Sequence, residues 1–184
     1  MEPNWALSRK KKTLEKRARI IQTIRAFFVD GGYLEIETPH RIPANAPEVH
    51  IDAVSSEGWF LQTSPELCMK RLLAAGYPKL FQICPVWRAD ERGQRHLPEF
   101  ALLEWYRSEA DYRDLMEEGE ELLRVLSEGK ALAWKEEVID LSPPWERLTV
   151  EEAFGRYASV SLGEAMESGR FDEVLAFEVE PRLG

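Results

Sequence analysis

The sequence has few cysteines and no long apolar run, and these two features limit the classes of protein to which it can belong. Its 184 residues include only two cysteines. Cys68 and Cys84 stand in apolar segments outside any C-x-x-C or Cys/His spacing, so we expect buried free thiols in a reducing compartment. No segment approaches the roughly 18 apolar residues that a membrane helix needs, and no apolar h-region follows Met1. We therefore predict a cytoplasmic protein with no membrane partner.

A basic excess is lacking as well. The chain has 24 Lys and Arg against 33 Asp and Glu, a net charge of −9. This balance excludes a protein that wraps duplex nucleic acid over a broad basic face, but it leaves a local anion site open. The densest basic stretch is interpreted as a solvated tail and first helical turn: Arg9 to Lys12, Lys16, Arg17 and Arg19.

Three common catalytic signatures are also missing. The chain contains no Walker-type glycine loop, no G-x-S-x-G and no H-E-x-x-H. Its composition, 44% hydrophobic and 31% charged, is typical of an ordinary globular domain. The site must therefore be sought in the order and periodicity of the predicted elements.

The first half of the chain alternates between helical and extended patterns. Apolar residues three and four apart predict a helix from Thr13 that Gly31-Gly32 ends. A second helix is predicted to end near Gly76, with Ser64 as its N-cap and Pro65 as its first residue. The other predicted elements are a strand over 33–38 ended by Pro39, a loop over 40–50 and a strand over 58–62.

Two β-rich runs, 79–87 and 99–107, predict a hairpin joined by a long, Arg-rich loop, and loops of this size are usually functional. The period of two divides the second strand into two faces. One face carries Phe100, Leu102, Glu104 and Tyr106, and the other carries Glu99, Ala101, Leu103 and Trp105. The first face is consistent either with an ordinary solvated strand or with a binding face.

The second half predicts helices and a final extended run. Asp111 caps a helix that Gly129 ends, and capping boxes at Thr149 and Ser161 begin two shorter helices. The terminal FEVEPRLG, residues 177–184, is interpreted as extended.

Three segments resemble the class II aminoacyl-tRNA synthetases. GGYLEIETP, from Gly31, resembles their motif 1, and VWRADERGQRHLPEFALLEWYRSEADYRDLM, from Val86, resembles their motif 2. With the segment from Thr63 to Arg88 between them, the match is to the lysine branch. The closest similarity is to the short lysyl-tRNA synthetase paralogues that attach (R)-β-lysine to a lysine of elongation factor P. Only about a dozen residues precede the first helix, so no anticodon-reading OB-fold is expected, and Ser64 stands where true synthetases usually have Ala.

The resemblance implies a role for each matching residue. Arg88 would be catalytic, binding the α-phosphate of ATP and the substrate carboxylate. Phe100 would stack on adenine, and Asp90 and His96 would contact the nucleotide from the motif 2 loop. The implied substrate-binding residues are Ser64 and Glu66 for the amino group, with Glu104 and Tyr106 towards the side-chain amine.

The sequence departs from the family pattern in two places. The usual R-N-E and H-N-P-E-F are replaced by Arg88-Ala89-Asp90 and by His96-Leu97-Pro98-Glu99-Phe100, so Leu97 lacks the polar contact that Asn makes. No glycine-rich third motif with its arginine follows Met116. We therefore expect the amino-terminal part of a catalytic domain, inactive in isolation, with no metal site of its own and with the Mg²⁺ ligands beyond residue 184.

The resemblance implies an α+β fold: a class II synthetase-like antiparallel sheet, with the 79–107 hairpin at its centre, helices on one side and an incomplete carboxyl end. Residues 1–12 would be a basic tail and 13–184 the catalytic domain. A homodimer would form through the helix from Thr13 and the strand over 33–38.

The implied function is ATP-dependent activation of lysine or (R)-β-lysine as an adenylate and its transfer to a lysine of elongation factor P. Alternatives are a lysyl-tRNA synthetase fragment acting on tRNA-Lys, more distantly the aspartyl or asparaginyl branch, and a non-catalytic binding module. Ser64 would favour the shifted amine of a β-amino acid, unless it serves only as a helix cap.

Overall fold

A computed structural model describes residues 5–183 of the chain. The chain divides into two compact units, 1–142 and 143–184. In the first unit the elements are α1 (Trp5–Arg9), α2 (Lys11–Asp30), β1 (Leu34–Glu35), β2 (Arg41–Ile42), β3 (Ser55–Ser56), β4 (Trp59–Leu61), α3 (Glu66–Ala74), β5 (Lys79–Trp87), β6 (Glu99–Arg107), α4 (Tyr112–Leu126), β7 (Leu132–Trp134) and β8 (Glu137–Ile139). No helix among the described residues is long and apolar enough to span a bilayer.

Helix α2 begins two residues before the predicted Thr13 and is preceded by the short helix α1. The described part of the predicted basic tail is therefore largely helical, although the boundary between tail and domain stays a prediction. The helix ends as predicted, because the Gly31 amide bonds back to the Phe27 carbonyl and Gly32 takes a left-handed φ of 78°.

A three-stranded sheet in the order β1-β5-β6 forms the centre of the first unit. β5 and β6 pair antiparallel along their full length, from Lys79 opposite Arg107 to Trp87 opposite Glu99. The α+β class is confirmed, and both strands of the hairpin have the predicted bounds. β1 is parallel to β5, however, so the sheet is mixed and β6 lies at its edge.

The predicted strand over 33–38 is much shorter than expected. Only Leu34 and Glu35 pair with β5, and the Ile36 amide adds one further bond to the Phe81 carbonyl. The chain then leaves the sheet before Pro39, which cannot donate to a ladder. The predicted loop over 40–50 contains β2, which joins β4 and β3 in a second small sheet.

The two faces of the central sheet differ in what covers them. On one face, Phe28 of α2 and Leu122 of α4 form a buried core with Phe81, and Leu103 and Trp105 pack against it. The rings of Phe28 and Phe81 stack with centroids 5.0 Å apart. The second face is covered by α3, which contacts both β5 and β6, and by Ser64 just before it, which bonds to Glu104, so the expectation of helices on one side only is wrong.

Residues 130–142 contain a feature that the sequence analysis missed. β7 and β8 pair as a two-stranded hairpin in which Trp134 and Val138 are exposed. Because neither strand has the apolar alternation of a half-buried strand, periodicity did not predict it.

The second unit is helical and has its own core. Its elements are α5 (Val150–Tyr157), α6 (Leu162–Glu167), α7 (Phe171–Val174), a π-helix (Leu175–Val179) and a 3₁₀ helix (Glu180–Arg182). Thr149 and Ser161 form the predicted capping boxes. The prediction of an extended end at FEVEPRLG is wrong in its described part, because helical winding buries Val179 beside Phe154 and exposes Phe177.

Candidate active site

The predicted binding face of β6 carries a cluster of hydroxyls around one carboxylate. The Ser64 hydroxyl donates to Glu104 Oε2 at 2.7 Å, and the Tyr106 hydroxyl donates to Glu104 Oε1 at 2.5 Å. Both donors are neutral, so the hydrogen bonds orient the carboxylate without neutralising its charge. The cluster therefore keeps a negative charge suited to an ammonium group.

The start of α3 contributes a second carboxylate. Glu66 is the first residue of the helix, and its Oε1 accepts a hydrogen bond from Lys70 Nζ at 2.5 Å, one helical turn on. The Glu66 amide in turn donates to the Ser64 hydroxyl at 3.0 Å. The prediction of Ser64 as the N-cap and Pro65 as the first helical residue is off by one, because Pro65 occupies the N-cap position and α3 begins at Glu66. One hydroxyl thus joins the helix to the β6 carboxylate.

The Tyr106 hydroxyl is strongly biased towards its neutral form. Burial raises its pKa well above the ordinary value, and the hydrogen bond to Glu104 and the charge of that carboxylate raise it further. A neutral phenol can keep donating to Glu104 over the whole physiological pH range.

Arg88 and Phe100 form a second group on the same face of the hairpin. Arg88 directly follows β5, and its guanidinium carbon lies 5.2 Å from the centroid of the Phe100 ring. The nearest carboxylate, Glu91, is 3.9 Å away, and the buried Arg88 Nε has no hydrogen-bond partner among residues 5–183. A planar cation held over an aromatic ring with a free donor is suited to an anion such as a phosphate.

The loop between the strands holds the remaining predicted nucleotide contacts. Asp90 and His96 are both exposed, and Asp90 has a left-handed φ of 59°. In the described part of the chain no hydrogen bond or ion pair joins either side chain to Arg88. The Arg88 amide bonds to the Pro98 carbonyl at 3.0 Å and closes the base of the loop.

The structure thus brings Ser64, Glu66, Glu104 and Tyr106 together in one group and Arg88 with Phe100 in a second, whereas Asp90 and His96 join neither group. Phe100 and Glu104 are four residues apart on an extended strand, which separates their Cα atoms by about 13 Å. A ligand that joins an anionic end to an ammonium end could span the two groups.

Sequence reasoning missed two buried polar residues on this face. Gln62 and Gln82 are 0% and 1% exposed, respectively, and their amides lie near the buried thiol of Cys84. Burial raises the pKa of that thiol, which keeps it protonated. The available signal was the polar Gln82 inside the apolar run KLFQICPVW.

Comparison with known proteins decides the family. The model of the class II tRNA synthetases (D, K and N) matches residues 5–177. The chain belongs to this family. The predicted class II resemblance is therefore confirmed.

Curated relatives of this class II chain share one name. This chain is 38% identical over 205 residues to the elongation factor P–(R)-beta-lysine ligase of Pasteurella multocida, in an alignment that covers 100% of this chain and 62% of the relative. It is 33% identical over 202 residues to the ligase of that name from Pseudoalteromonas translucida, covering 98% and 61%. The chain thus spans about three fifths of the length of these relatives.

Proposed function

We propose that the protein containing this chain is an ATP-dependent ligase that activates lysine or (R)-β-lysine and transfers it to a lysine of elongation factor P. The main support for this proposal is the Glu104 carboxylate with its two hydroxyl donors, Ser64 and Tyr106. This cluster lies on the same face of the hairpin as Arg88 and Phe100. The relatives named as ligases for elongation factor P support the choice of substrate and acceptor.

The first step is adenylate formation. The substrate carboxylate attacks the α-phosphorus of ATP in line, a new P–O bond forms, and the bond to pyrophosphate breaks. Arg88 binds the α-phosphate and the carboxylate and stabilises the charge that develops between them. Phe100 stacks on adenine, and Asp90 and His96 contact the nucleotide from the loop.

The amine end of the substrate is held by carboxylates. Glu66, with Ser64, receives the amino group, and Glu104, with Tyr106, receives the side-chain ammonium. In the second step the neutral amine of the acceptor lysine attacks the acyl carbon. The bond to AMP breaks, AMP leaves, and the amine loses its proton.

Mg²⁺ normally accompanies ATP in this class of reaction, but the described residues do not fit a metal site. No group of three or more His, Cys, Asp or Glu side chains within 5–183 could hold a metal ion.

A second candidate acceptor is tRNA-Lys, since the matching family model describes tRNA synthetases. The full-length protein should be offered ATP and a labelled lysine-type amino acid, with elongation factor P in one assay and tRNA-Lys in the other. We expect label on elongation factor P. Label on tRNA alone would replace the proposal with tRNA aminoacylation.

A homodimer through α2 and β1 remains part of the proposal. Leu14, Val29 and Leu34 support it, because these apolar side chains are each about half exposed along the two elements. The mass in solution at micromolar concentration tests it, and a monomer would contradict it. Cytoplasmic location is proposed on the free thiols of Cys68 and Cys84.

A further inference from the structure

Two glutamines are buried side by side with a thiol beneath the proposed amine site. Gln62 reaches Pro85 O at 3.0 Å and Cys84 Sγ at 3.5 Å through its Nε2. Gln82 interacts with the same thiol without reaching hydrogen-bond geometry. The two residues thus have the same side chain and equal burial but different hydrogen bonding.

Three of the four polar amide atoms lack a hydrogen-bond partner in the described part of the chain. They are Gln62 Oε1 and both Oε1 and Nε2 of Gln82. Most buried polar side-chain atoms in folded proteins form hydrogen bonds, because burial removes their hydrogen bonds to water and an unpaired atom does not regain them. A wholly unpaired, buried amide is therefore a local conflict of the kind that concentrates at functional sites.

The register of the hairpin fixes where Gln82 stands. It lies directly opposite Glu104, so the two side chains share a face with Cβ atoms about 5 Å apart. Both oxygens of Glu104 already accept from Ser64 and Tyr106. An ammonium has three N–H donors to satisfy, and the amide oxygen of Gln82 is a free acceptor beside that carboxylate.

We propose that Gln82 is a specificity-determining residue whose amide oxygen accepts a hydrogen bond from the side-chain ammonium of the lysine-type substrate. This inference rests on the proposed function. Gln82 would then act as the neutral partner of Glu104. The carboxylate attracts the positive charge of the substrate, and the amide oxygen favours a substrate whose end carries an N–H donor. A substrate that ends in a methyl group would leave the amide buried and unpaired.

The test compares the binding of ligands with and without the terminal amine, and it does not depend on overall activity. Equilibrium binding to the full-length protein is measured for lysine and for 2-aminohexanoic acid, which has the same carbon chain but lacks the terminal amine. The same pair of constants is measured for (R)-β-lysine and 3-aminohexanoic acid. Wild type should prefer the amine-bearing ligand.

Gln82→Met keeps the length and flexibility of the side chain and removes the amide. We expect the preference for the amine to fall at least tenfold, ATP binding to stay unchanged and the melting temperature to rise. The matched control is Gln62→Met, whose amide is already bonded to Pro85. It should lower the melting temperature and leave the preference unchanged.

Gln82→Glu gives an independent measurement if the methionine variant is unstable. A carboxylate keeps an acceptor oxygen in place, so the preference for the amine should stay at or above that of wild type. An unchanged preference in Gln82→Met, or a reduced one in Gln82→Glu, would overturn the inference while the proposed function stands. If wild type itself shows no preference for the amine, the proposed function fails, and the inference fails with it.

Discussion

The Tyr33 hydroxyl donates to both carboxylate oxygens of Glu118 at 2.7 Å, across 85 residues of chain. The same carboxylate accepts from Trp105 Nε1 at 3.3 Å and from Arg107 Nη1 at 3.1 Å. Tyr33 precedes β1, Trp105 and Arg107 lie on β6, and Glu118 lies on α4. One carboxylate therefore links the residue that precedes β1 to the strand that carries the proposed site.

Removing this carboxylate should weaken the fold. Glu118→Ala leaves the Tyr33 hydroxyl and the Arg107 guanidinium without their acceptor, and we expect a loss of about 2–3 kcal/mol in the free energy of unfolding. Urea denaturation measures it. The matched control is Glu121→Ala on the same helix, where the ion pair with Arg124 is exposed to solvent and its loss should change the free energy of unfolding much less. Equal losses in the two variants would contradict a special role for Glu118.

The same contact predicts a dependence on alkaline pH. Burial, together with the bond to Glu118, raises the pKa of Tyr33 far above its ordinary value near 10. Above that value the unfolded chain releases the phenolic proton while the folded chain retains it, so stability falls as pH rises. The contribution is fully present below pH 10 and is lost progressively above it.

Tyr33→Phe isolates this effect from other groups that titrate in the same range. We expect the stability difference between wild type and Tyr33→Phe to shrink by about 1.4 kcal/mol between pH 8 and pH 11, because only wild type contains this proton. Denaturation curves at the two pH values measure the difference. A difference that stays constant would mean that Tyr33 ionises as easily in the folded protein as in the unfolded chain.

Regular periodicity explains why some elements could be predicted. β5 and β6 are long, apolar and alternating, and Asp111 caps α4 with a complete capping box, so the sequence contains the local signal for each. β1 and the end of the second unit were mispredicted because tertiary packing decides them. Val179 is buried by a helical winding that the alternation of FEVE does not indicate.

The candidate site shows the same division. Alternation alone placed Phe100, Glu104 and Tyr106 on one face, and the structure brings Ser64 to that face. Gln82 could not be found from spacing, since one polar residue in an apolar run does not reveal whether its amide is paired. Long-range contacts such as that between Tyr33 and Glu118 leave no local pattern in the sequence.

Arg88 provides a direct test of the anion site. Arg88→Lys keeps the charge but loses the planar fork and its packing on Phe100, so ATP–pyrophosphate exchange by the full-length protein should fall about a hundredfold. Arg92→Lys changes an exposed arginine of the same loop and serves as the control, with exchange near the wild-type rate. Equal exchange rates in the two variants would contradict the proposed role of Arg88 in adenylate formation.

Ser64 tests the choice between α-lysine and (R)-β-lysine. Its hydroxyl donates to Glu104 at 2.7 Å and accepts from the Glu66 amide at 3.0 Å, so it both orients the carboxylate and caps α3. A β-amino acid has its amine one carbon further from the carboxylate. With Arg88 binding that carboxylate, the amine must shift relative to Ser64, and a hydroxyl can accept from the shifted amine where a methyl group cannot.

The variant Ser64→Ala should therefore shift adenylate formation from (R)-β-lysine towards α-lysine by about ten- to a hundredfold, since a buried ammonium short of one partner costs roughly 1–3 kcal/mol. Glu66→Gln should weaken the activation of both substrates. Ser161→Ala is the control for the loss of a helix-capping hydroxyl, because Ser161 is the N-cap of α6 in the second unit and accepts from the Glu164 amide, and it should lose about 1 kcal/mol of stability without a change in selectivity. Exchange rates with the two amino acids and thermal melts are measured on all three variants. If Ser64→Ala behaves like Ser161→Ala, with a lower melting temperature and an unchanged ratio of the two activation rates, capping accounts for Ser64 and the selectivity argument is wrong.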